Sequence, residues 1–222
     1  MNQAYQFNWS LISENWKVLL LGAWTDLWVS TIGFLLACSM GLAVALLLLT
    51  RIRLATAPAF AFVQIARGVP PYVFLLWVHF GLAALIDVAF SPLQSIILVL
   101  AITGGGYTAE IFRSGILAVE QGQVEAARCL GMRWVIVYAD VILPQALRII
   151  IPPLGNIWIG LLKTATLMGV IAVPDLLYYA QSINMNYFAP FEAFSAVVII
   201  FVSIVICISL FIAGIEKAIS YP

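Results

Sequence analysis

Apolar runs of about the length needed to cross a bilayer, broken by isolated charges, constrain this chain more than any other feature. Cutting the sequence at its charges leaves Leu27 to Thr50, Gly68 to Ile86, Val88 to Ala109 and Ala193 to Ile215 as clean apolar segments, and Ile149 to Pro174 as a fifth with Lys163 in its middle. A helix rises 1.5 Å per residue, so about 20 residues cross the hydrocarbon core, and each segment is near that length or longer. No water is available inside the bilayer to satisfy the backbone, so the segments must be helices. Only 9% of the residues are charged and 64% are hydrophobic, far from the composition of a soluble domain. The sequence therefore predicts an all-α integral membrane protein with about five transmembrane helices.

An odd number of spans puts the termini on opposite sides. With the N-terminus outside, Arg51, Arg53, Arg67, Arg113, Arg128, Arg133, Arg148 and Lys217 fall in the cytoplasm, and Lys17 alone among the Lys and Arg residues stays out. The outer connections then hold Asp87, Asp175 and Glu192. This asymmetry obeys the positive-inside rule and the reverse orientation violates it, so the C-terminus is expected in the cytoplasm. Trp9, Trp16, Trp24 and Trp28 gather at the proposed outer interface, which suits a segment lying along the membrane surface before the first span. The opening residues lack the basic start of a signal peptide, and no small-residue cleavage pattern follows, so the segment is read as retained.

Charge and composition also exclude several functions. Ten basic and ten acidic side chains cancel, which removes any global attraction to nucleic acid. Cys38, Cys129 and Cys207 are scattered and His79 stands alone, so neither a disulfide framework nor a metal site is indicated. No nucleophile lies at a telling spacing from a base, and an enzyme embedded in the membrane has no support. His79, alone on an apolar span, reads as a packed, hydrogen-bonded side chain.

Gly33, Ala37, Gly41 and Ala45 recur every four residues and make a smooth stripe for close helix packing; Gly104, Gly105 and Gly106 read the same way. Lys163 carries the most information inside a span, because a central lysine costs about 2.5–3.5 kcal/mol on insertion scales and must face an interior or a partner. Asn156 and Gly160 share its helical face, one turn apart, and Pro152 and Pro153 just before them can free carbonyls toward a cavity. Two readings of Lys163 stay open: attraction of a substrate carboxylate, or a structural ion pair with Glu110. Tyr107 and Thr164 are weaker candidates for a substrate path. Glu110 and Arg113, three residues apart, are expected to pair along their own helix, and Arg67, just before Gly68 and Pro70, to anchor the inner interface.

The stretch "GQVEAARCLGM", Gly122 to Met132, is polar in an oily chain. It predicts two to three helical turns over Gln121 to Leu130, stopped by Gly131 in a left-handed cap. Ala126 and Ala127 would present a bare face for another protein surface, with Glu125 and Arg128 at its edge; a solvated connector has the same composition. Glu125-Ala126-Ala127, three residues, Gly131, nine residues and Val141-Ile142-Leu143-Pro144 resemble the EAA motif of permease subunits in ATP-binding-cassette importers. "RGVPPYVFLLWVHFGL" from Arg67, "GGYTAEIFRSGILAVEQGQVEAARCLGM" from Gly105, "LPQALRIIIPPLGN" from Leu143 and "LLKTATLMGVIAVPDL" from Leu161 look like the polar-amino-acid uptake branch. Val141 stands for the usual isoleucine, Val69 and Pro71 alter an RGTPL pattern, and Ala165 and Thr166 replace a common pair of serines.

The resemblance implies a type I importer transmembrane domain over residues 26–216, with a coupling segment over about 121–144, an outer segment at 1–25 and a cytoplasmic tail at 217–222. It implies a bacterial cytoplasmic-membrane protein in which Glu125, Ala126, Ala127 and Gly131 engage a cytoplasmic ATPase. The implied partners are two ATPase subunits, a second permease chain and a periplasmic or tethered solute-binding protein. ATP and Mg are expected on the ATPase, with no cofactor on this chain. In keeping with that, there is no phosphate loop: Lys163-Thr164 resembles the end of one, but Leu162 stands where glycine is required. The implied cargo is an amino acid or a related small zwitterion. An ion-coupled secondary transporter or channel is the competing reading; five spans without an internal repeat weigh against it.

Overall fold

Charges interrupt an apolar run without interrupting a helix, and this shapes the first element. In the computed structural model, which describes residues 7–50 and 52–219, α1 runs unbroken over Ser10–Leu49. Its 40 residues make a rod about 60 Å long. Glu14, Lys17 and Asp26 sit inside it, so the backbone has no break at residue 25, where an outer segment was expected to give way to the first span. Residues 1–6 of that segment, Arg51, and tail residues 220–222 lie outside the described residues.

The second element is broken. Helices α2 (Arg53–Gly68) and α3 (Pro71–Ile86) meet at 106° across a short break, the geometry of a broken span or a re-entrant loop. Val69 and Pro70 are extended at the break: Pro70 and Pro71 lack N–H groups, and each disfavours a helical predecessor. Helix α3 ends at Asp87, whose φ is 53°. Helix α4 (Pro92–Leu117) then starts in a reciprocal capping box: Ser91 Oγ accepts from Gln94 N at 3.2 Å and Gln94 Oε1 from Ser91 N at 2.9 Å. The short α5 (Gln121–Cys129) leads to α6 (Trp134–Ile171), which contains a π turn over Val137–Ile142 and ends in a 3₁₀ turn over Thr166–Ile171. Helices α7 (Leu176–Tyr187) and α8 (Pro190–Ile219) complete the chain. Helices α1, α4, α6 and α8 are each long and apolar enough to cross a membrane, and the bent pair makes the expected fifth when it is counted as one span; the ends of the expected spans shift.

Small residues set how closely the helices approach. A Cβ on Gly33 would lie 2.6 Å from the Leu100 side chain, and one on Gly104 would lie 2.7 Å from Ala37 Cβ; Gly41 packs on Thr108 and the Ala109 backbone. The expected stripe on α1 is thus its contact with α4, and Thr108 Oγ1 donates across it to Ala37 O at 2.7 Å. Beyond α4, Gly115 meets Ile150 of α6, and Gly155 of α6 meets Ile212 of α8. Since Gly104 meets Leu161 while Gly115 meets Ile150, α4 and α6 are antiparallel.

At the end where α7 begins, two buried aspartates join three elements. Asp175 Oδ1 caps α7 by accepting from Tyr178 N at 2.6 Å, and its Oδ2 accepts from Gly169 N at 3.2 Å. Asp26 of α1 accepts from Leu176 N at 3.1 Å. Gly22 lets the α1 backbone touch that joint, because a Cβ there would lie 2.6 Å from Leu176 N. His79 is held by Ser95, Nδ1 to Oγ at 2.9 Å.

Candidate coupling helix and translocation face

Helix α5 is a short rigid knob because its far end is fully closed. Gly131 adopts φ 80°, Met132 N donates to Ala127 O at 3.2 Å and Gly131 N to Arg128 O at 3.0 Å. This is the paired-bond stop that a left-handed glycine permits. Arg128 fastens the turn from outside: its Nη1 donates to Met132 O at 2.7 Å and its guanidinium lies 4.7 Å from the centre of the Trp134 ring. Gln145 ties the knob to α6, donating to Gln123 Oε1 at 2.6 Å and to Val141 O at 2.8 Å. Pro144 has no N–H for the carbonyl of Asp140, and the turn before it widens to π geometry over Val137–Ile142.

The two alanines are about 100° apart round the helix, which puts one on the surface and the other inside. Ala126 and Glu125 are exposed, whereas Ala127 is buried in a cluster with Val119, Val137, Ile142, Ala146 and Ile150. The expectation that Ala127 belongs to an outward bare face is therefore corrected. Val124 and Ala127, three apart, form the inner stripe of α5, and an outer contact is left to Ala126 and Glu125. The inner stripe also borders an apolar groove of about 900 Å³ walled by Leu42, Leu46, Phe112, Trp134 and Tyr138.

The second feature is an open face on α4 and α6. Successive helical residues turn by about 100°, and four neighbours on α4 take four directions. Gly104 faces α1 and α6, Gly105 faces Met40 of α1, and Gly106 faces Ala66 and Arg67 of α2. Tyr107 takes the remaining direction, between α2 and α6, and is 42% exposed. On α6, Leu161 faces α4 and Gly155 faces α8, while Asn156, Gly160 and Lys163 are exposed and Thr164 is half-buried, its Oγ1 donating to Gly160 O at 3.0 Å. With the helices antiparallel, the Gly160–Thr164 edge of this arc adjoins the Tyr107 side of α4.

Lys163 stands at the other edge, in a crevice with Thr166, Leu177, Val197 and Phe201. It is about 200° round the helix from Leu161, which faces α4, so it points away from Glu110. Glu110 Oε2 instead accepts from Arg113 Nη2 at 2.9 Å and from its Nε at 3.2 Å. Among the described residues Lys163 has no ion-pair partner.

Arg67 is not at the end of the bundle. It lies where α2 breaks, beside Gly106 near the midpoint of α4, with its guanidinium 5.2 Å from the centre of the Tyr107 ring. The expectation of an interfacial anchor is overturned by packing: residues 53–68 are helical and carry Arg67 four turns inward from Arg53. The doublet Pro70-Pro71 was the signal in the sequence that a helix stops there.

The profile of the family described as "Binding-protein-dependent transport system inner membrane component" matches residues 19–220. The chain belongs to this family. The membrane component is 33% identical over 214 residues to the glutamine transport system permease protein GlnP of Escherichia coli (strain K12), covering 96% of this chain and 97% of that one. It is 34% identical over 221 residues to the histidine/lysine/arginine/ornithine transport system permease protein HisM of the same strain, covering 90% and 92%. A crystal structure of an amino acid ABC transporter with histidines contains a chain that superposes with a TM-score of 0.89 at 28% identity, covering 96% of this chain and 100% of that one. The fold is thus that of a type I importer transmembrane domain, in a multi-pass protein of the inner membrane. Its role is transport, and an ATPase and a solute-binding protein act with it.

Proposed function

We propose that this permease subunit carries amino acids or closely related small zwitterions inward across the cytoplasmic membrane, with the N-terminus outside and α5 docked in a cleft of a cytoplasmic ATPase. The observation that carries the reading is α5 itself: a knob closed by Gly131 and tied to two spans, with Glu125 and Ala126 turned outward. A helix held this firmly transmits a push from a partner to α4 and α6 without bending first. The basic residues at the α5 end favour the cytoplasmic side. The named cargoes of the two permease relatives favour an amino acid.

Tyr107, Asn156, Gly160 and Thr164 line the path in this account, and Lys163 borders it. The open face of α4 and α6 needs a second permease chain, identical or homologous, to close it. Two ATPase subunits then bind and hydrolyse MgATP, so closure of the ATPase pair moves both knobs together. The test is reconstitution with the partner ATPase and binding protein in proteoliposomes. Uptake of radiolabelled L-amino acids should require ATP, and Glu125→Arg should abolish ATPase assembly or uncouple hydrolysis from uptake. Normal ATP-driven uptake by the Glu125→Arg and Ala126→Trp variants would show that docking occurs elsewhere.

A further inference from the structure

An arginine at mid-bundle depth is costly, and such a residue marks a functional site unless a partner neutralises it. Arg67 is exposed on the open face, and its recorded contact among the described residues is the π face of Tyr107; no carboxylate pairs with it. One helical turn beyond Tyr107, Glu110 is in a complementary condition. Both bonds from Arg113 go to Oε2, and Oε1 has no hydrogen-bond donor among the described residues. Helical geometry places Glu110 about 60° from Tyr107, on the side of α4 that faces α2. A planar guanidinium able to take a carboxylate with two parallel bonds thus lies against Tyr107, and a carboxylate oxygen able to accept from an ammonium belongs to Glu110, three residues and about 4.5 Å further along the axis of α4. The break between α2 and α3 is at the same depth, as in transporters that use discontinuous helices at a midplane site.

We propose that Arg67 and Glu110 form a zwitterion subsite midway across the membrane, the Arg67 guanidinium holding the α-carboxylate of an amino acid and Glu110 Oε1 its α-ammonium. Tyr107 keeps the guanidinium on the path side until the ligand arrives, and Arg113 steadies Glu110 from below. The subsite reads the part common to all α-amino acids, so Asn156, Gly160 and Thr164 across the path are left to meet the variable side chain. The inference rests on the amino-acid reading above. A purely structural Arg67 is the competing account, since a cation in the last turn of α2 also suits the helix dipole.

The two accounts differ in ligand discrimination. Equilibrium binding of tritiated L-glutamine and L-histidine is measured on the assembled transporter in nanodiscs without binding protein. The unlabelled competitors are each parent amino acid, its α-carboxamide and its Nα-acetyl derivative. The wild type should prefer the parent over both derivatives by at least about tenfold, the weight of one charge-assisted contact. Arg67→Gln should bind parent and α-carboxamide alike while still rejecting the acetylated form; Glu110→Gln should do the reverse. Arg67→Lys should recover part of the carboxylate preference. Equal weakening of all competitors, or an intact carboxylate preference in Arg67→Gln, overturns the subsite, as does absence of binding to the wild type. Wild-type uptake in proteoliposomes is scored separately: uptake of an L-amino acid with an intact preference in Arg67→Gln removes the subsite alone, and no uptake of any L-amino acid removes the amino-acid reading itself.

Discussion

Replacing Gly41 by alanine should be among the most damaging single-methyl changes in this protein. The added Cβ would fall on Thr108 Oγ1 and come within 2.8 Å of Ala109 N and 2.9 Å of Thr108 Cβ. Backbone is on one side of that contact, so a rotamer change cannot relieve it and α1 must move away from α4. Overpacking of this kind costs about 1–3 kcal/mol, and separating the helices stretches the 2.7 Å bond from Thr108 Oγ1 to Ala37 O, which adds about 1 kcal/mol. The total, about 2–4 kcal/mol, corresponds to a fall in Tm on the order of 10 °C for a chain of this size. Tryptophan fluorescence of the transporter in nanodiscs during a thermal ramp reads it directly. Gly122→Ala is the control, because nothing lies within 4 Å of its Cβ position, and its Tm should stay near the wild type. In a Thr108→Ala background, Gly41→Ala should cost less, because the nearest obstructing atom is gone. A Gly41→Ala transporter as stable as the wild type, or a shift equal to that of Gly122→Ala, would refute the packing argument.

Other outcomes follow from single contacts. Gly131→Ala forces a Cβ into the left-handed region at φ 80°, a cost of about 1–2 kcal/mol; it should lower the number of substrates imported per ATP, with Gly131→Asn less affected. Ala127→Trp should lower Tm sharply, since Ala127 is 5% exposed inside the α5 cluster. Ala126→Trp should change stability by no more than about 0.5 kcal/mol yet block co-purification of the ATPase. Asp26→Ala leaves the buried Leu176 N–H without its acceptor, at a cost of about 1–3 kcal/mol, whereas Asp26→Asn keeps an acceptor oxygen and should lose less in the same thermal ramp.

The five spans, the Gly33–Ala45 stripe and the left-handed stop at Gly131 were legible in the sequence because each has a local cause: run length, four-residue spacing, and a backbone that favours glycine. The ends of the spans are less legible, because a charge in the sequence does not by itself mark the membrane edge. Lys17 and Asp26 do not break α1, and Arg67 is carried to the middle of the bundle by a helix that begins at Arg53. The Pro70-Pro71 doublet marks the break, but no local pattern gives its 106° angle or the packing of Ala66 and Arg67 of α2 on Gly106. Composition alone carries no direction and so does not separate Ala127 from Ala126; the three-residue spacing of Ala127 from Val124 is what marks an inner stripe. The Asp26–Leu176 joint spans 150 residues of sequence, and no local pattern announces such a contact.

The central claim, that ATP energy enters this permease through α5, is tested most directly by amino-acid uptake into proteoliposomes holding the full assembly, with Glu125→Arg beside the wild type. The account predicts wild-type uptake that requires ATP and survives ionophores, and uptake lost in Glu125→Arg while the variant keeps the wild-type melting temperature. Uptake that persists without ATP and collapses with ionophores would contradict it and favour an ion-coupled transporter.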